Sequence, residues 1–134
     1  MEIGEKIKSF LSSGPYAVVG ASTAREKYGN KVFRCYLQHG LEVYPVNPKA
    51  TEVEGRACFA SLSELPKPVR AISVITPPPV TERVVKDAHA TAIEFVWMQP
   101  GAESPTAITR AEELGMTVIG DGSCLLVALG FRDE

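Results

Sequence analysis

Residues 16–22 read Tyr-Ala-Val-Val-Gly-Ala-Ser, and this stretch decides the fold class. A compact apolar run ends at Gly20, a pattern typical of a buried strand that enters a tight turn. A polar segment follows, and residues 32–37 then place apolar side chains at helical spacing. The stretch therefore predicts a strand, a loop and a helix, in that order.

The same alternation continues along the chain. Short apolar runs predict further strands at residues 41–46, 71–75, 93–97 and 116–120. Apolar side chains at helical spacing predict four further helices. They lie over residues 3–11, after Pro77-Pro78-Pro79, after Ser104-Pro105 and over residues 123–129, and proline or glycine marks several of their ends. Residues 49–70 are less regular, and there we expect only a short strand at 56–59 and one helical turn at 62–65.

Strands that alternate with helices imply right-handed crossovers and a parallel sheet with helices on both faces. The chain has 134 residues, which is the size of one domain. We therefore expect residues 1–134 to form a single α/β domain, Rossmann-like and three-layered, with a mainly parallel sheet of about five strands. A flavodoxin-like strand order stays open, because the sequence does not fix which strands are neighbours.

Composition excludes several classes of function. Lys and Arg number 14 against 16 Asp and Glu, and this net charge of −2 gives no general attraction to nucleic acids or anionic membranes. The chain has no apolar run long enough for a membrane span and no signal segment, so we expect a soluble, cytoplasmic protein. The cysteines and histidines lack ligand spacing, which argues against a metal site and a disulfide scaffold.

The ligand-binding edge of such a sheet lies beyond the carboxyl ends of its strands. Gly20-Ala21-Ser22-Thr23 follows the first strand and precedes a helix start. Glycine allows close approach of the backbone, hydroxyls donate hydrogen bonds, and a helix N-terminus favours anions. The segment predicts a phosphate site, although it matches neither G-x-G-x-x-G nor the P-loop pattern. A glycine needed only for the turn is the competing interpretation.

Asn47-Pro48-Lys49 follows the second strand. A domain that binds NAD usually places Asp or Glu here, where the carboxylate accepts hydrogen bonds from the ribose hydroxyls. A lysine would instead favour a phosphorylated ribose through a charge-assisted hydrogen bond. The segment therefore disfavours NAD and permits NADP or coenzyme A (CoA), although a solvated surface lysine would look the same.

Five segments occur together in one order: Val18-Val19-Gly20-Ala21-Ser22, Val43-Tyr44-Pro45-Val46-Asn47-Pro48-Lys49, Gly55, Ser61-Leu62 and Trp97-Met98-Gln99-Pro100-Gly101-Ala102. In this combination the chain resembles the small CoA-binding proteins. These are single Rossmann-like domains similar to the CoA-binding domain of the succinyl-CoA synthetase alpha subunit. The resemblance extends from about residue 14 to Cys124 and implies CoA or an acyl-CoA as the ligand.

The resemblance also implies residue roles. The glycine loop would meet the pyrophosphate of CoA, with additional cations from Arg25, Lys27 or Lys31. Lys49 would meet the ribose phosphate. The adenosine would lie between two walls, Val46-Asn47-Pro48 and Thr76-Pro77-Pro78. Farther along, Gln99 and Gly101 would line the crevice, and Cys124 would lie toward the pantetheine end.

The related synthetase needs a phosphohistidine and a further domain. Neither His39 nor His89 falls on the predicted rim, so we expect a non-catalytic binding module with no acyl-CoA ligase activity. A small NADP-dependent oxidoreductase or redox sensor is the alternative, and an interaction scaffold with a vestigial pocket is the third interpretation. A protein partner is conceivable, and the sequence does not identify one.

The remaining candidate residues have mainly structural interpretations. We expect Cys35, Cys58 and Trp97 to be core residues, because they lie in or beside apolar runs. Cys124 differs, since it follows the last strand near a helix start, a position that promotes thiolate formation. A redox or mixed-disulfide role is the minor interpretation of Cys124.

Overall fold

The structure is a computed structural model and describes all residues, Met1–Glu134. Five strands build the main sheet: β1 (Tyr16–Val19), β2 (Val43–Val46), β5 (Ala71–Val74), β6 (Phe95–Met98) and β7 (Thr117–Ile119). A small hairpin contains β3 (Glu52–Val53) and β4 (Arg56–Ala57). The helices are α1 (Ile3–Leu11), α2 (Tyr28–Gln38), α3 (Pro78–Ala90), α4 (Pro105–Glu113) and α5 (Leu125–Leu129), with a 3₁₀ turn at Leu62–Glu64. None of them is both long and apolar enough to span a bilayer.

The main sheet is parallel throughout, with the strand order β2-β1-β5-β6-β7. The expected five-stranded parallel sheet is therefore confirmed. Phe59 extends the β2 edge by a parallel bridge to Val46, with its N–H 3.0 Å from the Pro45 oxygen. This bridge occupies the place of the third strand in the Rossmann order 3-2-1-4-5-6, whereas the five strands alone have the flavodoxin-like order.

The segment predicted as one strand at 56–59 is divided in two. Arg56 and Ala57 pair with β3 in an antiparallel hairpin, and only Phe59 joins the main sheet. The hairpin turn places Glu54 at φ 49° and Gly55 at φ 76°. Two central residues with positive φ suit the twist of a tight hairpin. The sequence analysis missed β3 because Glu is an uncommon residue at the first of these positions.

Two layers of helices cover the sheet. On one face α3 and α4 pack against alternate strand residues such as Val19, Ile72 and Met98. On the other face α1, α2 and α5 pack against the intervening residues, among them Val18 and Trp97. The three-layer architecture is therefore confirmed, and its strands are apolar on both faces because both faces are buried.

Backbone segments converge closely where β1 ends. Gly20 has φ 97°, and a Cβ atom placed on it would lie 1.9 Å from the carbonyl oxygen of Ile75. A Cβ atom on Gly29, in the first turn of α2, would lie 2.1 Å from the carbonyl oxygen of Gly20. Both positions therefore require glycine because of the chain's own backbone. Close approach of a ligand to Gly20 stays a prediction.

Gly20→Ala is expected to lower the free energy of unfolding by about 3 kcal/mol, because it combines a strained φ with a backbone clash. Gly122→Ala is the matched control, since Gly122 has φ 95° and open space around its Cβ position. The Gly122→Ala substitution adds only backbone strain, which should lower the free energy of unfolding by about 1 kcal/mol. Urea unfolding followed by tryptophan fluorescence measures both values, and equal losses would contradict the close backbone contact.

Candidate functional site

A groove of about 620 Å³ lies beyond the carboxyl ends of β1, β2 and β5. This is where the strand order reverses, and open α/β sheets bind their ligands at such points. The groove is lined by eight of the residues that were predicted from the sequence: Gly20, Lys27, Val46, Asn47, Pro48, Lys49, Thr76 and Pro77. The fold therefore brings together segments that are far apart in the chain.

Positive charge predominates along the groove. Lys27, Lys49 and Arg83 line it, together with a single carboxylate, Asp87. The sequence analysis missed Arg83. Val80, Arg83, Val84 and Asp87 follow one another at helical spacing and share one face of α3, so this spacing was the signal that could have identified Arg83.

Helix α2 begins beside the groove with an unusual charge pattern. Lys27 is its N-cap residue, its first turn contains no acidic residue, and no side chain caps it. Helix N-termini ordinarily favour carboxylates and capping oxygens, because the free N–H groups carry a partial positive charge. Here a cation adds to that charge, so this helix start is suited to an external anion.

The glycine loop next to the groove has free hydrogen-bond donors. The backbone N–H groups of Ala21, Ser22 and Thr23 donate to no protein acceptor. The loop's carbonyl oxygens are used instead. The Asn47 side chain donates to the Ala21 oxygen at 2.7 Å, and the Asn30 side chain donates to the Ser22 oxygen at 2.9 Å. The two side chains fix the loop and leave its N–H groups without a protein acceptor.

Asn30 is itself held by a buried arginine. The Nε atom of Arg34 donates to the Oδ1 atom of Asn30 at 2.6 Å, and Arg34 is only 5% exposed. Asp133 near the C-terminus pairs with the Arg34 guanidinium at 3.2 Å, and the ring of Phe131 lies 5.1 Å from it. The C-terminal residues thus stabilise the side chains that position the glycine loop.

Two predicted cations lie elsewhere. Arg25 forms an ion pair with Glu54 at 2.5 Å, and Lys31 lies 3.6 Å from a carboxylate oxygen of Asp133. Neither lines the groove, so the structure does not bring Arg25 or Lys31 to the position that the resemblance implied. Pro78 is also outside the groove, because it begins α3 as an exposed residue.

A second cleft, of about 530 Å³, adjoins the groove. The two cavities share Ile75, Thr76 and Pro77 as a common wall. Gly101 lines the cleft as the sequence analysis expected, and Tyr28 and Cys124 lie in its lining as well. The groove and the cleft therefore form neighbouring parts of one carboxyl edge.

Gln99 lies beneath the cleft instead of lining it. Its side chain is fully buried, and its Oε1 atom accepts hydrogen bonds from the Tyr28 hydroxyl at 3.0 Å and the Leu125 N–H at 2.9 Å. The Tyr28 hydroxyl also lies 2.6 Å from the Sγ atom of Cys124. Burial, and then the contact with Cys124, raise the pKa of Tyr28, so the phenol stays protonated near neutral pH.

The other two cysteines and the tryptophan are structural. Burial raises the pKa of the Cys35 thiol to about 11, and burial also raises the pKa of Cys58. Trp97 is fully buried, packs edge-on against Phe10 and donates to the Ser123 oxygen at 3.0 Å. The expectation that Trp97 and Cys35 belong to the core is confirmed, and Cys58 is half-buried.

Similar proteins are known by sequence and by structure. The uncharacterized protein YneT of Bacillus subtilis is 31% identical over 92% of this chain and 91% of its own length. An ADP-forming acetate–CoA ligase of Archaeoglobus fulgidus is 30% identical, but the match covers 81% of this chain and only 17% of that enzyme. A hypothetical protein from Pyrococcus horikoshii superposes with a TM-score of 0.89 at 31% identity, covering 94% of this chain and 89% of that one.

The family relationship covers the whole sheet and its carboxyl edge. The family described as CoA binding domain matches residues 15–129, from the residue before β1 to the end of α5. This range includes every residue that lines the groove and the cleft. The resemblance inferred from the sequence is confirmed, and the chain belongs to the CoA-binding domain family.

Proposed function

We propose that the protein binds CoA or a CoA thioester in the groove without transforming it. The observation that carries this proposal is the set of three cations, Lys27, Lys49 and Arg83, beside the glycine loop. CoA has a pyrophosphate and a further phosphate on its ribose, so it presents two separate anionic groups. A groove with several cations and free N–H donors suits such a ligand.

Each part of CoA has a partner in the groove under this proposal. The free N–H groups of the glycine loop and Lys27 hold the pyrophosphate, and Lys49 holds the ribose phosphate. Val46, Pro48 and Pro77 form apolar walls for the adenosine. Arg83 adds a third cation from α3, and its planar guanidinium can bind a phosphate through two donors.

The placement of the histidines supports binding without catalysis. The chain spans 17% of the Archaeoglobus ligase and 27% of a ligase alpha subunit from Pyrococcus furiosus, so the activity of those whole enzymes is not carried over to it. His39 and His89 are exposed and line neither cavity, so no histidine is available beside the ligand as a phosphoryl carrier. The module would act by holding CoA, either for a partner protein or as a reserve of the bound cofactor.

Lys49→Glu is expected to weaken CoA binding by roughly 10- to 100-fold, because a charge-assisted hydrogen bond is lost and a repulsion is added. Binding of dephospho-CoA, which lacks the ribose phosphate, should change far less. Isothermal titration calorimetry measures both affinities. Lys86→Glu is the matched control, since Lys86 is exposed on α3 outside the groove and the charge change is the same. Equal losses for both ligands would remove Lys49 from this role.

Salt should weaken CoA binding, since the contacts to phosphate are ionic and the groove is open to solvent. Screening at these distances is nearly complete at about 1 M salt, where the Debye length is about 3 Å. The affinity for CoA should fall steadily between low and high salt, and dephospho-CoA should show a shallower dependence. An affinity for CoA that is independent of salt would contradict the ionic contacts.

A ligand series separates the candidate functions. CoA should bind more tightly than NADP, NAD or ATP, because only CoA places a pantetheine arm along the shared wall toward the cleft. Calorimetric titrations under one set of conditions measure this order. Tighter binding of NADP would favour the oxidoreductase interpretation, and the absence of binding for every nucleotide would favour the scaffold.

A further inference from the structure

The cleft lies where the far end of the ligand would reach. It shares the wall Ile75, Thr76 and Pro77 with the groove, so a chain that leaves the groove along this wall enters the cleft. Its lining includes Pro100, Gly101 and Ala102 and is mostly apolar. If CoA binds in the groove as proposed, its pantetheine arm extends toward this cleft and brings a thiol near Cys124.

Binding of the nucleotide does not use a cluster of polar groups at the cleft, where Tyr28 and Cys124 are in the lining and Gln99 lies beneath them. The Leu125 N–H needs an acceptor, so the Gln99 oxygen must face it, and this fixes the orientation of the amide. The Tyr28 hydroxyl donates to that same oxygen, which leaves the thiol of Cys124 to donate to Tyr28. After proton loss from the thiol, the single hydroxyl proton would have to turn from the Gln99 oxygen to the sulfur, 2.6 Å away, to stabilise the thiolate.

A second observation, independent of Cys124, concerns the side-chain amide of Gln99. Its Nε2 atom is the one buried side-chain nitrogen or oxygen in the protein without a hydrogen-bond partner. Buried polar groups are nearly always paired, so an exception calls for an explanation. Because Gln99 is fully buried beneath the cleft, a ligand carbonyl, such as an amide of the pantetheine arm, would supply the missing acceptor only once the side chains beside Tyr28 move apart.

We infer that Cys124 exchanges disulfides with the thiol end of CoA, so that the reduced protein reacts with CoA disulfide to form a protein–CoA mixed disulfide. This inference rests on the proposed function. The deprotonated Sγ atom attacks one sulfur of CoA disulfide, the S–S bond breaks, and a new bond joins Sγ to that sulfur. The second CoA leaves as a thiolate and takes up the proton. Cys124 is oxidised and one CoA half is reduced, so no other oxidant is needed.

The other cysteines are poorly placed for this reaction. Cys35 belongs to α2 and is fully buried in the core. Cys58 lies behind Asn47, with its thiol 3.7 Å from the Asn47 carbonyl oxygen, and lines neither cavity. Cys124 is the one cysteine in the lining of a cavity at the carboxyl edge.

The test is to incubate the reduced protein with CoA disulfide and to measure its intact mass. We expect a gain of one CoA per chain that dithiothreitol removes. Trypsin leaves the three cysteines in separate peptides, so peptide mapping locates the adduct, and we expect it on residues 111–132. Cys124→Ser should abolish the adduct, and Cys58→Ala should retain it.

A competitor shows whether the groove directs the reaction. Adenosine 3′,5′-bisphosphate carries the phosphorylated ribose of CoA without its thiol, and at saturation it should slow the reaction with CoA disulfide roughly tenfold. It should leave the reaction with cystamine, a small disulfide without a nucleotide, unchanged. An adduct on Cys58, or equal effects on both disulfides, would overturn the inference.

Calorimetry of the wild-type protein with reduced CoA separates the two possible failures. Binding of CoA without formation of the adduct would overturn this inference alone. Absence of CoA binding would overturn the proposed function, and an adduct formed under that condition would be ordinary exchange at a half-exposed thiol.

Discussion

The close approach of three backbone segments at the end of β1 is the constraint on which the carboxyl edge depends. Gly20 lies against the Ile75 carbonyl and Gly29 against the Gly20 carbonyl, with no space for a side chain at either contact. These contacts draw the loop after β5 and the start of α2 toward the end of β1. Gly20 and Ile75 line the groove, and Tyr28 and Ile75 line the cleft, so this junction bounds both cavities.

Electrostatics at this edge works against local stability and in favour of anion binding. A lysine at the N-cap of α2 opposes the usual preference of helix starts, and the glycine loop leaves three N–H groups unpaired. Both features cost stability in the free protein. Phosphate groups would supply the missing negative charge and the missing acceptors, which is the physical reason to associate this edge with a nucleotide.

A network of side-chain hydrogen bonds behind the glycine loop holds it in place. Asn30 and Asn47 hold its carbonyl oxygens, and Arg34 holds Asn30 from the far side. Arg34 is in turn paired with Asp133. Residues more than 100 positions apart therefore fix one short loop, and none of these partners is suggested by local sequence patterns.

The alternation of strands and helices, and the loops that meet at one edge, could be predicted because hydrophobic period and turn residues are local signals. The sequence also predicts the parts of the groove that directly follow strands, namely Gly20, Asn47-Pro48-Lys49 and Thr76-Pro77. Which cations reach that groove depends on packing and ion pairs between distant segments of the chain. Arg83 enters it from a helix face, while Arg25 and Lys31 are held by Glu54 and Asp133. The physical reason is that a long side chain points where packing and ion pairs direct it, and its partners lie far away in the sequence.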